Sequence, residues 1–546
     1  MSDDGAFMPA GALPRRRWGA GQSALVWRID RVAAAAAAVF LASLVYYGSC
    51  LFPGLGGELN PGDSAKFQIL GHTSILVHGP GYPVVLAIGA LVRALALPLP
   101  PWWVLTFALS AVPGAVANTF AFLITRRLTG SIGFGAAAAL LLGSAGLVAV
   151  QATEAEVYAL ALAFVLCIVF LLIVFVETRR LGWFLAACAV YAASFGNHLM
   201  MIMLLPLFLW MAVVHRDLLL EPRPVALAGL FILLGAAQYL FLAHVAYSPG
   251  TAYSEYMPLP PEPMALVHYI LGTYFSDLYG SGLVSTRTLE ALISTLRSAH
   301  PWVSLPLIVV GAALMAAGWL RRDARWRGLA LVFAAALCFV PFVLWYGAYD
   351  IRAFHGPVLG TALVAAVAAL GWWARRSPAV GNALIAALLL VGALRAGQTA
   401  WLLATREPPF GGLEPAIEEM VAQSPVDRPL VAMSYGLRMA TLYHELRGEL
   451  PQAPVYRVHW RAIADVERRR PLGGIVVPTD GYQFVRWIEH HRPDLRCRTE
   501  KVRRTQSTQW PAYLFECRDA GGFDPADTAG AGQRARSASS VNPAGA

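Results

Sequence analysis

Apolar runs of about 20 residues recur along roughly the first 400 positions of this 546-residue chain, and no other feature restricts its fold so strongly. A helical run of that length matches the ~30 Å hydrocarbon core of a bilayer. In lipid, only helices and closed barrels satisfy their own backbone polar groups. Charge agrees: 14% of residues are Asp, Glu, Lys or Arg, against about 25% in ordinary soluble proteins. With 57% hydrophobic residues and a mean hydropathy of +0.55, the composition excludes a soluble enzyme, a disordered chain and a disulfide scaffold. The expected fold is mostly α, a polytopic transmembrane helix bundle.

Spans are expected at 32–52, 102–125, 132–150, 157–176, 182–197, 199–214, 225–247, 301–320, 328–346, 354–374 and 379–402, about 11 in all with 10–13 admissible. No small-residue cleavage site follows the first run, so it reads as an anchor. The apolar stretch Val84–Leu97 is bracketed by Pro83 and Pro98, contains Arg93 and is short; it is expected on the outer face. If it spanned, every later loop would change sides.

A net charge of +9 in a soluble chain would suggest nucleic acid. Here the basic residues are arginines at membrane edges, so the charge reads as topology and no nucleic-acid partner is expected. Arg15, Arg16, Arg17, Arg28 and Arg31 share a side with Arg126, Arg127, Arg179, Arg180, Arg216, Arg223, Arg321, Arg322, Arg325, Arg327, Arg375 and Arg376. The positive-inside rule makes that side cytoplasmic. The opposite loops hold Glu58, Asp63, Glu154, Glu156, Glu255, Glu262, Asp277, Glu290 and Asp350 and face outward. The chain reads as a multi-pass plasma or inner membrane protein with a cytoplasmic N-terminus.

Four regions follow: a cytoplasmic tail (1–31), a transmembrane domain (32–402) with outer loops 53–101 and 248–300, a soluble α/β domain (403–522) and a disordered Gly/Ala/Ser-rich tail (523–546). In the third region, short apolar runs at Leu430–Ser434, Gly474–Val477 and Tyr513–Cys517 suggest strands, and Pro415–Gln423 and Gly481–His491 suggest helices. An odd number of spans puts this domain outside. There Cys497 and Cys517 would be free to pair, though two unrelated thiols fit equally well. No Walker motif, dinucleotide fingerprint, zincin motif or cysteine metal site is present.

The outer loops carry the polar residues with chemical potential. Asn60-Pro61-Gly62 delivers Asp63 to the start of a short helix. Asp there is ordinarily a cap; alternatively its carboxylate is held at the membrane surface as a general base. His78 precedes Gly79-Pro80-Gly81-Tyr82-Pro83, a rigid junction whose histidine suits phosphate or sugar hydroxyls. Glu154 and Glu156 sit between two spans, where they stabilise a helix start or face a cavity. Two positions apart, they point about 200° from each other on a helix; Glu156, two before Tyr158, is taken as the inward one. Gly196-Asn197-His198 interrupts an apolar run. Asp350 and Arg352 follow an aromatic stretch; either the pair anchors the interface or Arg352 clamps a phosphate. The loop Tyr247–His300 is long and rich in tyrosine, as expected of a segment covering a site.

Gly62-Asp63-Ser64 with Phe67, His78-Gly79-Pro80-Gly81-Tyr82-Pro83, Ala155-Glu156-Val157-Tyr158-Ala159-Leu160 and Gly196-Asn197-His198-Leu199 stand in this order and spacing. The set resembles protein O-mannosyltransferase-like membrane proteins of the GT-C glycosyltransferase superfamily, over roughly residues 30–215. The family pattern reads Gly-Asp-Ser-Gly-Glu-Phe and His-Pro-Pro-Gly-Tyr-Pro; here Ala65, Lys66 and Gly79 depart from it. Lys66 removes a second loop carboxylate and with it one potential ligand of a divalent metal. The resemblance implies an enzyme that moves a sugar from a polyprenyl-phosphate donor to a hydroxyl on a protein, lipid or glycan at the outer face. Asp63 and Glu156 would be catalytic, Asp63 as the base; His78, Tyr82, Glu154, Tyr158, Asn197, His198, Asp350 and Arg352 would bind substrate. Two other classes stay open: a transporter or flippase of lipid-linked saccharide, disfavoured by the scarcity of mid-span charge, and a non-catalytic membrane scaffold.

Overall fold

The computed structural model describes residues 30–59, 61–253, 259–278, 285–320, 326–348, 350–406, 430–432, 435–448, 455–457, 473–477, 495–501 and 513–519. The helical candidates Pro415–Gln423 and Gly481–His491 lie outside them. The chain is predominantly helical, and each apolar stretch identified above lies largely in helix. Among the described residues, seven helices are long and apolar enough to cross a membrane: Arg31–Ser49, Pro101–Thr129, Tyr158–Thr178, Pro222–Tyr247, Trp326–Trp345, Ile351–Ala374 and Pro378–Thr405. Shorter apolar helices lie at Pro83–Leu95, Ile132–Ser144, Leu181–Ser194, Leu199–Val214 and Ser304–Gly318. The Pro83–Leu95 helix has 13 residues, about 20 Å at 1.5 Å each, well short of a bilayer core.

Burial sorts these helices into a centre and a rim. The most apolar window of Ile351–Ala374 is 94% buried, whereas those of Arg31–Ser49, Pro222–Tyr247 and Pro378–Thr405 are 6%, 11% and 11% buried. Small residues make the centre possible. A Cβ added at Gly311 would stand 2.5 Å from the Cα of Ala366, so the Ser304–Leu320 helix reaches the central one only because a hydrogen occupies that place. The rim helices turn side chains such as Ile232, Leu233, Leu240 and Leu394 outward, as lipid contact requires. The Pro101–Thr129 helix opens into a π-turn at Phe107–Ala111 just before Pro113, where a proline cannot donate its hydrogen bond.

Two short strands tie two long loops together: β1 (Ile75–Leu76) pairs in parallel with β2 (Ala252–Tyr253). Toward the C-terminus, β3 (Leu430–Ala432), β4 (Val455–Arg457), β5 (Gly473–Val477), β6 (Leu495–Lys501) and β7 (Tyr513–Asp519) form one mixed sheet in the order β4-β3-β5-β7-β6. The register sets Cys497 opposite Cys517 on antiparallel neighbours, a backbone relationship compatible with a bridge. The helix Tyr435–Leu446 leaves this sheet and packs against the Pro61–Ile69 helix. Met439, Ala440, Leu442 and Tyr443 are buried in the main hydrophobic core, and the His72 ring lies 6.1 Å from that of Tyr443. The helix Tyr435–Leu446 therefore backs the short helix that carries Asp63.

Candidate functional site

Four separated segments meet around one cavity of about 470 Å³. Asp63 and Phe67 come from the Pro61–Ile69 helix, His78 to Tyr82 from the following turn, Glu156 to Tyr158 from the entry to a long helix, and His198 to Met203 from the break after Ser194. Ile270, Leu271, Gly272 and Leu278 of the long loop before residue 300 close one side. Phe342, Trp345, Tyr346, Ala348, Asp350 and Phe354 close another. Much of the lining is thus apolar and aromatic, and Asp63, His78, Glu156, His198 and Asp350 supply its ionisable groups.

Local backbone geometry aims these side chains. Asp63 lies in the first turn of its helix rather than at the cap. Its Oδ1 accepts from Lys66 Nζ at 2.7 Å and lies 3.4 Å from His78 Nε2. Tyr82 holds a left-handed backbone (φ 49°) just before Pro83 starts the next helix. For a bulky residue this conformation costs about 1–3 kcal/mol, and here it presents the ring to Phe67, His78 and His198 at 5.4, 5.4 and 5.7 Å. Asn197 is buried and donates to the Val157 carbonyl at 3.0 Å, fixing the turn on which His198 stands. His198 Nδ1 accepts from the Met200 amide at 3.0 Å, which leaves Nε2 as the protonated nitrogen of the neutral ring. Tyr158 and His198 both pack on Phe354, with ring centroids at 5.1 and 5.6 Å.

The two glutamates diverge. Glu156 lines the cavity; its Oε1 accepts from Ser64 Oγ at 3.4 Å, and its amide donates to Ser110 Oγ at 3.2 Å. Glu154 turns away into a buried pair, accepting from Arg406 Nη1 at 3.0 Å and from the Leu59 amide at 3.2 Å. Arg406 also donates to the Cys50 carbonyl and to Thr153 Oγ1, both at 3.2 Å. Glu154 is therefore a support beneath the turn. Arg352, expected as a phosphate clamp, is exposed and lies outside the cavity lining, whereas Asp350 lines it. Residues two apart in a helical turn face nearly opposite ways, so one of this pair turns outward.

Charge states separate the carboxylates. Burial alone would raise the Asp63 carboxyl; the Lys66 ammonium and the His78 ring outweigh it and hold the group well below the usual carboxylate range. Burial and the nearby Asp63 charge push Glu156 well above it. Burial raises Glu154 to about 7 against the pull of Arg406. Burial, with the charges of His78 and Lys66, lowers His198 to about 3. These shifts favour an ionised Asp63 and a neutral His198 and bias Glu156 toward its protonated form.

The surroundings of Asp63 do not suit a divalent metal. Mg²⁺ and Ca²⁺ need several oxygen ligands, but the group against Asp63 is an ammonium with no lone pair. Among the described residues no group of three or more His, Cys, Asp or Glu side chains is disposed to hold a metal ion.

Sequence reasoning did not single out Ser64, Ser110, Arg406 or Phe354. The first two are ordinary serines until the loops fold together, and Arg406 reaches Glu154 from 252 positions away. An arginine just past the last apolar run was the only available signal for that pair.

Polar loops are gathered around a partly apolar cavity at one end of a bundle of apolar helices. Residues 63–220 match the family model described as the protein O-mannosyl-transferase TMEM260 N-terminal domain, a match that begins at Asp63. The whole chain is similar in fold to the crystal structure of ArnT from Cupriavidus metallidurans bound to undecaprenyl phosphate. That likeness has 16% sequence identity, covers 91% of this chain and 98% of that one, and has a TM-score of 0.50. No curated protein matches in sequence.

Proposed function

We propose that the chain is a membrane glycosyltransferase that takes a sugar from a polyprenyl-phosphate-linked donor and passes it to an acceptor hydroxyl at the extracytoplasmic face. The observation that carries this reading is the convergence of Asp63, His78, Glu156, Tyr158 and His198, from four chain segments, on a cavity whose lining is largely apolar. A lipid-linked donor needs that combination: polar groups for phosphate and sugar, and a greasy surface for the isoprenoid. The matches to an O-mannosyl-transferase family model and to a fold whose crystal structure binds undecaprenyl phosphate support the same reading.

Asp63 is assigned as the base. Its carboxylate accepts the acceptor's proton as the hydroxyl oxygen forms a bond to the anomeric carbon. The bond from that carbon to the phosphate oxygen breaks, and its electron pair leaves with the polyprenyl phosphate. Direct displacement inverts the anomeric centre. His198 Nε2–H and His78 are assigned to the phosphate, where hydrogen-bond donors stabilise developing charge. Glu156, whose burial favours the protonated form, is assigned to a sugar or phosphate oxygen as a donor. Tyr82 and Tyr158 form the aromatic floor, with Asp350 at the far edge. The arginine distribution supports a cytoplasmic N-terminus and outward placement of this rim and of the region after 406.

The test is sugar transfer in membranes supplied with radiolabelled polyprenyl-phosphate sugars. Covalent product with wild type and none with folded Asp63→Asn is expected. Transport of the lipid-linked sugar without covalent product would overturn the assignment in favour of a flippase, and full transfer by Asp63→Asn would remove Asp63 from the chemistry.

A further inference from the structure

The chain has two lysines, Lys66 and Lys501, against 40 arginines, and one of the two lies at the centre of the candidate site. Lys66 has no solvent-exposed side-chain surface, and its ammonium lies 2.7 Å from Asp63 Oδ1, one helical turn along the same helix. It also stands 4.4 Å from the centre of the Phe67 ring and 6.0 Å from that of Tyr82. Both aromatic faces stabilise a cation. Everywhere else at the bundle's edges the chain uses arginine, whose planar fork needs more room and more acceptors. A compact point charge fits between one carboxylate and two rings.

The position matters because a divalent cation drawn to this cavity would need the Asp63 carboxylate as a ligand. A metal bound there would meet an ammonium that is enclosed and cannot withdraw into water. It would also compete with Lys66 and His78 for Oδ1, since both are already directed at that atom. Charge neutralisation, one service a metal performs beside a departing phosphate, is supplied here by the chain itself. The field of Lys66 is also felt at Glu156 and at His198.

We propose that Lys66 is the resident cation of this site, occupying the place of a divalent metal beside Asp63, and that sugar transfer proceeds without any divalent metal. The proposal rests on the glycosyltransferase reading for its activity arm alone. Lys66 is a positioning residue: it holds Asp63 ionised and aimed, and does not itself touch the reacting atoms.

The experiment uses the full chain purified in detergent and has two independent arms. In the first, Mn²⁺ is titrated into wild type and Asp63→Asn and followed by electron paramagnetic resonance. Equal, non-stoichiometric binding by both is expected. One tightly bound Mn²⁺ in wild type that is lost in Asp63→Asn overturns the proposal, whether or not any transfer has been measured. In the second, transfer is measured across pH in excess EDTA. Wild type retains its full rate, while Lys66→Met, matched in length and checked for folding by thermal melting, loses about 100-fold or more. Its acid limb also moves upward by a unit or more as Asp63 loses its partner. Transfer that EDTA abolishes and Mn²⁺ or Mg²⁺ restores overturns the proposal, as does a folded Lys66→Met with the wild-type rate and acid limb. Absence of transfer with every donor tried would count against the glycosyltransferase reading, while the Mn²⁺ arm still decides the question of the cation.

Discussion

Asp63 and Glu156 line the same cavity, and their surroundings push their carboxyl groups in opposite directions, Asp63 down and Glu156 up. Asp63 has Lys66 and His78 against one oxygen; the contacts that orient Glu156 come from the hydroxyls of Ser64 and Ser110. Burial acts on both in the same direction, so burial does not decide which is ionised. A cationic neighbour at hydrogen-bond distance does. Carboxylates driven apart in this way suit different proton-transfer roles, and the lesson is that the second-turn residue Lys66 favours the ionised form of Asp63.

The comparison can be broken most severely at Asp63. Asp63→Asn keeps the shape and removes the base, so transfer should fall by about 10³-fold or more, measured as initial rate at saturating donor. A comparable blow to stability comes from Arg406→Met. It strips the buried Glu154 of its ion partner, and removing one member of a buried pair costs about 3–5 kcal/mol; thermal melting in detergent at neutral pH should show it. The pH dependence of wild-type stability sharpens the contrast between the carboxylates. Glu154 binds its proton more tightly folded than unfolded, so its contribution weakens stability as pH rises from about 4.5 to about 7 and is flat beyond. Asp63, depressed, contributes stability above its unfolded value of 3.8 that is lost as pH falls further. Melting temperature against pH should therefore decline gently from pH 5 to 7 and collapse in strong acid. The smallest effect is expected for Glu156→Gln, which copies the protonated state: transfer should stay within about 10-fold of wild type, whereas Glu156→Ala, lacking any donor, should fall further.

Much of the site was legible because short motifs survive as linear strings. Gly62-Asp63-Ser64, the His78 turn, Glu156-Val157-Tyr158 and Asn197-His198 are contiguous residues at helix starts and breaks, where a polar side chain in an apolar sequence stands out. Helices were legible for the same reason, through uninterrupted apolar length. What the sequence hid depends on distance or direction. The Glu154–Arg406 pair joins positions from opposite ends of the bundle, and no local pattern announces it. Arg352 looked like a phosphate ligand by its neighbours, but a helical turn points it outward. Lys66 read as the loss of a carboxylate; only its burial against Asp63 shows it as a gain of charge. The helix Tyr435–Leu446 was unforeseen because its docking surface is another short helix far up the chain.

That docking has a consequence for the order in which the protein becomes competent during synthesis. The Asp63 segment emerges early from the ribosome, yet the helix that backs it is translated only after the whole bundle. The first loop must wait, through the insertion of every span, for its supporting scaffold to arrive. A nascent chain stalled anywhere before the final quarter would hold the Asp63 helix without the late helix that packs against it.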